Sequence, residues 1–199
     1  MTRLQAAAKR SFDLLMAAAG LVAFGWLILI GWVAARLDTG ESGFFVQERV
    51  GRFGKPFNVI KLRTMRSDAR FDTTVTTARD PRIAFIGRFL RKSKLDELPQ
   101  LINVLKGEMS FVGPRPDVPG FADRLKGEEK RILRVRPGIT GPATLRFRDE
   151  ERLLARNPDP ERYNSEVIYP EKVRINLAYI SNYRFREDLR ILWRTLIGR

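Results

Sequence analysis

Between Asp13 and Arg36 the chain runs for 22 residues, Leu14 to Ala35, without a charge. As a straight helix it would extend about 33 Å, enough to cross a hydrocarbon core of about 30 Å. A chain of 199 residues offers one core of modest size, and such a core cannot readily wrap a helix that is apolar on every side. The segment therefore points to a membrane. Three arrangements fit it. A cleaved signal peptide would use Arg3, Lys9 and Arg10 as its basic start and Val33-Ala34-Ala35 as its cleavage site, but the apolar run exceeds the roughly 7–15 residues typical of such peptides. A spanning helix and a bent, re-entrant helix remain, and Gly20, Gly25 and Gly31 would ease a bend. Basic residues flank both ends, with Arg36, Arg49 and Arg52 following the segment. The positive-inside tendency then favours keeping both ends on the cytoplasmic side, as re-entry allows.

The division that follows is a membrane-associated helix over residues 1–37 and a catalytic-sized domain over 38–199. Lys and Arg number 37 against 23 Asp and Glu, a net charge of +14. Residues 36–199 carry 34 of those basic and 22 of those acidic side chains, so the excess belongs mainly to the globular part. Its partners should be anionic: acidic phospholipid headgroups, nucleic acid, or phosphorylated small molecules. The helix-turn-helix, zinc-finger and aromatic single-strand signatures of nucleic-acid binding are not evident, and nucleic acid is not an expected partner. The chain has neither His nor Cys. Thiol catalysis, imidazole acid–base chemistry and the usual zinc sites are excluded, which leaves carboxylates, Lys, Arg, Tyr and hydroxyls.

The patterning beyond the membrane segment is mostly helical. Phe44–Gln47 and Pro56–Arg63 read as strands joined through Gly51-Arg52-Phe53-Gly54, so the expected class is α/β, mostly helical with a small β-hairpin. Two segments have the pattern of amphipathic helices lying on a membrane. In Arg82–Lys92, Ile83, Ile86, Phe89 and Leu90 alternate with Arg88, Arg91 and Lys92. Near the C-terminus, Leu189, Leu192, Trp193 and Leu196 form one stripe and Arg186, Arg190 and Arg194 another. Packing on the domain core explains the same spacing.

Polar chemistry concentrates in Ser93-Lys94-Leu95-Asp96-Glu97-Leu98-Pro99-Gln100. Pro99 suits the first turn of a helix that ends before Gly107, which puts Asp96 and Glu97 at its amino end. Free backbone N–H groups there favour an ionised Asp, able to share a divalent cation with a phosphate or to attack phosphorus itself. An Asp cap beside a solvated Glu is the plainer alternative. In Gly113-Pro114-Arg115-Pro116 two prolines fix the backbone around one guanidinium, which lowers the entropic cost of gripping phosphate. Arg136-Pro137-Gly138-Ile139-Thr140-Gly141 adds another arginine, and an extended Leu145–Arg148 would put Arg146 and Arg148 on one face as further phosphate donors.

These segments resemble, in order and over nearly the whole chain, the bacterial sugar transferases called monotopic phosphoglycosyl transferases. The resemblance is carried by Lys9-Arg10-Ser11-Phe12-Asp13, Phe44–Gly51, Lys61-Leu62-Arg63-Thr64-Met65, Leu95–Gln100, Gly113–Pro116 and Arg136–Gly141. It implies transfer of a sugar phosphate from a UDP-sugar to undecaprenyl (polyprenol) phosphate with release of UMP, the first membrane step of a bacterial glycan or exopolysaccharide pathway. Asp96 would attack the β-phosphorus and carry the phosphosugar covalently, and Glu97 would complete the dyad and help position Mg²⁺ or the lipid phosphate. Lys61, Arg63, Arg91 and Arg115 would contact phosphate groups. The family setting is the bacterial inner membrane, with the catalytic domain on the cytoplasmic face. A homodimer is compatible with this, although no heptad seam marks one. Members of the family commonly bend the membrane helix at a Ser-Pro pair. Here no proline lies between Leu14 and Ala35, Gly25-Trp26 is the nearest breaker, and re-entry is nonetheless the expected arrangement. Pro142-Ala143-Thr144 also follows Gly141 where other members continue with a Trp. The rival from another class is a non-enzymatic, membrane-anchored basic protein that binds acidic lipid or nucleic acid, in which Asp96-Glu97 and Pro114-Arg115-Pro116 would be incidental.

Overall fold

The computed structural model describes residues 1–67 and 80–198. Its longest element is α1 (Arg3–Thr39), opened by a Thr2–Gln5 capping box and closed by Gly40 in the left-handed region at φ 76°. The helix is unbroken through Gly25-Trp26. It is also mostly uncovered, with only 17% of its most apolar stretch buried, so it is not the core helix of the domain.

What α1 does bury is one stripe. Asp13, Ala17, Ile28, Gly31 and Ala35 are separated by 4, 11, 3 and 4 residues, each close to a whole number of turns, which keeps them on one face. Two glycines let that face approach closely: a Cβ on Gly20 would lie 3.0 Å from Leu101 and one on Gly31 would lie 2.4 Å from Leu62. The opposite face leaves Leu15, Val22, Trp26, Leu29, Ile30 and Leu37 exposed.

The stripe lies on a hairpin of β1 (Phe44–Val50) and β2 (Pro56–Leu62), paired antiparallel from Phe44 opposite Leu62 to Val50 opposite Pro56. Between them Arg52–Gly54 forms a single 3₁₀ turn in which Phe53 takes φ 61°. The expected hairpin is present, with its first strand extended to Val50. Then come α2 (Phe85–Ser93), a 3₁₀ turn at Leu95–Glu97, and α3 (Gln100–Lys106), closed by Gly107 at φ 85°. Two apolar clusters join these elements to α1: Ala17, Val59, Leu101, Val104 and Met109 at one end, and Ile28, Ala35, Leu62 and Leu90 at the other.

A second, parallel pair was not legible in the sequence: β3 (Ser110–Val112) aligns Ser110 with Gly138 and Val112 with Thr140 of β4 (Gly138–Thr140). The remainder is helical: α4 (Pro142–Arg146), α5 (Glu150–Ala155), α6 (Pro160–Tyr163), a π-turn, α7 (Tyr169–Ser181) and α8 (Phe185–Ile197). The extended reading of Leu145–Arg148 is corrected here. Pro142 pre-sets the first turn of α4, so Arg146 and Arg148 do not share a strand face. A third cluster, Val50, Ala122, Ile132, Leu133 and Val173, packs α7 against the end of the hairpin.

Both ends of α1 are bonded to this one body. At the amino end Lys9 meets Asp188 at 2.6 Å, Arg10 donates to the Val104 and Leu105 carbonyls, and Asp13 accepts from the Ser110 hydroxyl and the Phe111 amide. At the carboxyl end Asp38 accepts from the Ile86 and Gly87 amides at 2.6 and 3.2 Å, so α1 supplies the cap that α2 lacks locally. Exposed apolar side chains also occur on other helices: Phe85 and Phe89 on α2, and Leu189, Trp193 and Leu196 on α8.

Candidate active site

The acidic pair sits where α2 turns into α3. Lys94 ends α2 in the left-handed conformation, φ 61°, and this sharp reversal aims the next residues back at β2. Asp96 is 7% exposed and the Glu97 side chain 12% exposed. Two ionised carboxylates at that depth require cationic neighbours.

Those neighbours come from three separate elements. Arg115 donates to Glu97 Oε1 at 2.6 Å and to the Ile139 carbonyl at 3.3 Å. Lys61, the penultimate residue of β2, places Nζ 3.6 Å from the same Glu97 oxygen. Arg91, in the last turn of α2, acts on Asp96 electrostatically together with Lys61 and Lys94, and it is paired with Glu151 at the start of α5. The parallel β3–β4 pair sets Arg115 in place: Gly113 N–H bonds the Thr140 carbonyl, and Gly138 N–H bonds the Pro114 carbonyl. Gly113 is required at this crossing, because a Cβ there would lie 2.6 Å from the Arg136 carbonyl.

The two carboxylates have opposite electrostatics. Burial raises Asp96, and the charge of Glu97 raises it further against the pull of Lys61, Arg91 and Lys94. Burial also acts to raise Glu97, but Arg115 and Lys61 outweigh it and bring that carboxyl down to about 2. Glu97 is therefore a fixed negative charge that organises the cations, while Asp96 keeps a buried oxygen, Oδ1, with no hydrogen-bond partner. Lys61 is lowered to about 8, by burial first and then by Arg115, against the attraction of Glu97 and Asp96.

Of the residues expected to bind phosphate, Lys61, Arg91 and Arg115 gather at the acidic pair. The others lie elsewhere. Arg63 bonds Glu41 at 3.0 Å and the Ser42 and Phe44 carbonyls, which ties the end of α1 to the hairpin. Arg136 donates to the Gly107 carbonyl at the far end of α3. Arg146 lies near enough to Glu171 to lower its carboxyl, and Arg148 donates to the Thr195 carbonyl of α8. The rigid Pro-Arg-Pro turn and the Lys61 motif were legible because their chemistry is local. In the structure Arg63, Arg136 and Arg148 each donate to a backbone carbonyl, which a sequence, showing only charge, does not reveal.

Sequence reasoning did not assign roles to four further groups beside the pair. Lys94 acts on both carboxylates. Arg49 approaches Arg115 and Lys61, donates to the Pro116 carbonyl, and is lowered to about 10 by burial and by Arg115. Asp117 is raised to about 6 by burial, against Lys172 and Arg49. Glu151 occupies Arg91. Lys94 and Arg49 lie within motifs that are plain in the sequence, but Asp117 and Glu151 carry no local signal.

Among the described residues no cluster of three or more acidic groups could enclose a metal ion. The residues present fit a different arrangement. Mg²⁺ is commonly held by one or two carboxylates plus substrate phosphates, and the second oxygen of the Asp96 carboxylate, beside the unpartnered Oδ1, would serve as a donor of that kind.

Buried adjoining carboxylates and three convergent cations thus lie in a body that also carries one helix long and apolar enough to cross a membrane. The sequence profile of the bacterial sugar transferases matches residues 4–198. This chain belongs to that family. It is 33% identical over 204 residues to the exopolysaccharide production protein ExoY of Sinorhizobium fredii, covering 94% of this chain and 83% of the relative. It is 35% identical over 195 residues to the UDP-glucose:undecaprenyl-phosphate glucose-1-phosphate transferase of Caulobacter vibrioides, covering 94% and 68%. It is 32% identical over 203 residues to the undecaprenyl-phosphate galactose phosphotransferase of Salmonella typhimurium, covering 94% of this chain and 39% of that protein.

Proposed function

We propose that this sugar transferase moves a sugar 1-phosphate from a UDP-sugar to undecaprenyl phosphate and releases UMP, with Asp96 as the covalent carrier. The observation that carries the reading is the contrast within the dyad: Glu97 is ion-paired to Arg115 and Lys61, whereas Asp96 keeps Oδ1 buried and unpartnered. An unpaired, desolvated carboxylate oxygen among cations is a poised nucleophile toward phosphorus.

In the first half-reaction Asp96 Oδ1 bonds the β-phosphorus as the bond from that phosphorus to the α-phosphate oxygen breaks. The electron pair leaves with UMP. In the second, an oxygen of the lipid phosphate attacks the same phosphorus, the Asp96 ester bond breaks, and the carboxylate returns. Neither half needs a proton shuttle, which suits a chain without histidine. Lys61, Arg91 and Arg115 would neutralise the diphosphate, and Arg91 would exchange Glu151 for a phosphate oxygen. Asp96, with Glu97 adjoining, would hold Mg²⁺ jointly with the substrate phosphates. Its charge would ease the approach of two anions.

The lipid acceptor has its phosphate at the headgroup plane, and the soluble donor arrives from water, so the site must lie at that boundary. The exposed apolar residues of α1, α2 and α8 would seat the protein there, with the catalytic domain on the cytoplasmic face of the inner membrane. Bonds from both ends of α1 to one body favour a helix whose two ends stay on that face, held within one leaflet.

The test is UMP release by purified protein given undecaprenyl phosphate, Mg²⁺ and a panel of UDP-sugars. The expected result is release that requires the lipid, the metal and Asp96. Full turnover by Asp96→Asn would overturn the covalent route.

A further inference from the structure

Of the three cations that gather at the dyad, Lys61 and Arg115 are paired with Glu97, but Arg91 is paired outside it. Its guanidinium donates to Glu151 in the first turn of α5 and lies 3.8 Å from the Met65 sulfur. Two backbone bonds join Arg91 to the acidic turn: the Lys94 amide bonds the Arg91 carbonyl, and the Glu97 amide bonds the Lys94 carbonyl. The pair is open to solvent, with the Arg91 side chain 25% exposed and that of Glu151 46% exposed. A solute can therefore reach it.

Lys61, Arg91, Lys94 and Arg115 together act on the two carboxylates of the dyad. Four cations around two carboxylates repel one another, and α5 offsets that surplus with two adjoining carboxylates of its own. Glu150 meets Lys172 of α7 at 2.7 Å and also acts on Arg115, while Glu151 takes Arg91. An ion pair this open to water is weak, and phosphate oxygens offer a guanidinium stronger, two-pronged bonds. Glu151 can let go of Arg91 into water, and the Glu150–Lys172 pair keeps α5 attached when it does.

We propose that Glu151 is a built-in competitor of the donor diphosphate, holding Arg91 until a phosphate oxygen displaces it and so setting the affinity for the nucleotide. The proposal rests on the reading of Arg91 as a phosphate ligand. Glu151 forms and breaks no covalent bond. The apparent dissociation constant is the intrinsic one divided by the fraction of Arg91 that is free, so a Glu151 seated about two-thirds of the time weakens binding about threefold. Removing its charge should therefore tighten binding, which a carboxylate that merely orients Arg91 for the diphosphate would not do.

UDP carries the diphosphate without a sugar and serves as the probe. Its dissociation constant is measured by calorimetric titration, with Mg²⁺ present, on the parent, Glu151→Gln, Arg91→Gln and the double variant in one detergent. Melting temperature is read on each, so that binding is compared between folded proteins. The expected result is UDP binding tightened about threefold or more by Glu151→Gln and weakened about tenfold or more by Arg91→Gln, with Glu151→Gln giving almost no gain once Arg91 is gone. If Arg91→Gln weakens binding while Glu151→Gln leaves it unchanged or weaker, the Glu151 role alone falls. A gain from Glu151→Gln that persists in the Arg91→Gln background comes from lost negative charge in general, and it also overturns the proposal. If Arg91→Gln binds UDP as the parent does, the reading of Arg91 falls and this proposal falls with it.

Discussion

Arg115 donates one guanidinium nitrogen to Glu97 at 2.6 Å and another to the Ile139 carbonyl at 3.3 Å, so a single planar group bridges the acidic turn and the β3–β4 pair. The bridge explains why Glu97 is held down to about 2 although it is buried. An ammonium cannot span the two acceptors with fixed geometry. Arg115→Ala should therefore cut UMP release by about 100-fold or more, and Arg115→Lys should recover little of it. Measured side by side, near-parental activity for the Lys variant would show that charge alone suffices.

Lys61 titrates at about 8 in the folded protein, well below its ordinary value near 10.4. As pH rises through 8 the ammonium is lost, Glu97 keeps only Arg115, and the diphosphate loses a counter-charge. A basic limb in kcat/KM near pH 8 follows. Lys61→Arg, with a group that stays charged, should move that limb to higher pH. The stability sign is the opposite: between about pH 8 and 10 the unfolded chain holds the proton that the folded chain has released, so the Lys61 contribution to stability rises with pH. Activity falling while melting temperature holds or climbs over that window would separate Lys61 from simple alkaline unfolding.

Much of this was legible in the sequence, and the remainder was not for identifiable reasons. The hairpin, α1 and the Gly107 stop are written in local patterns: alternation, an unbroken apolar run, a glycine at positive φ. The β3–β4 pair was not, because three-residue strands have too few positions to show a period. The dyad and Arg115 could be read because a charged pair beside proline and a guanidinium between prolines are local statements. Which arginines would face the dyad could not, since Arg136 and Arg148 are bonded by the Gly107 and Thr195 carbonyls, brought near only by folding. Asp38 makes the same point in reverse: it ends one helix and caps another 48 residues away.

The buried Asp188 is 1% exposed and gathers Lys9 at 2.6 Å, the Tyr179 hydroxyl at 2.5 Å and the Tyr183 hydroxyl at 3.0 Å. It fastens the amino end of α1 to α7 and α8. Burial, and then the Asp188 charge, raise both phenols above their ordinary value, so they stay protonated as donors. Asp188→Ala strands Lys9 without its carboxylate and should cost about 3–5 kcal/mol, the range for breaking one side of a buried pair. Denaturant unfolding in detergent would read the loss. Because the network lies apart from the dyad, the folded fraction should keep its rate of adduct formation.

The arrangement of α1 makes the most direct prediction. A helix that crossed the bilayer would carry its two ends to opposite faces, yet Arg10 and Asp13 bond α3 and β3 at one end while Asp38 caps α2 at the other. Over the 28 residues between Arg10 and Asp38 that is about 42 Å of helix laid along one body. A spanning orientation would have to carry those partners into the hydrocarbon as well, at the cost of burying Arg88, Arg91 and Lys92 of α2 there. The chain has no cysteine of its own, so single Thr2→Cys and Ser42→Cys variants report cleanly. In intact cells neither thiol should react with a membrane-impermeant maleimide, and both should react once the cells are opened. Labelling of one site alone from outside would establish a spanning helix and require α1 to leave the body on which it now lies.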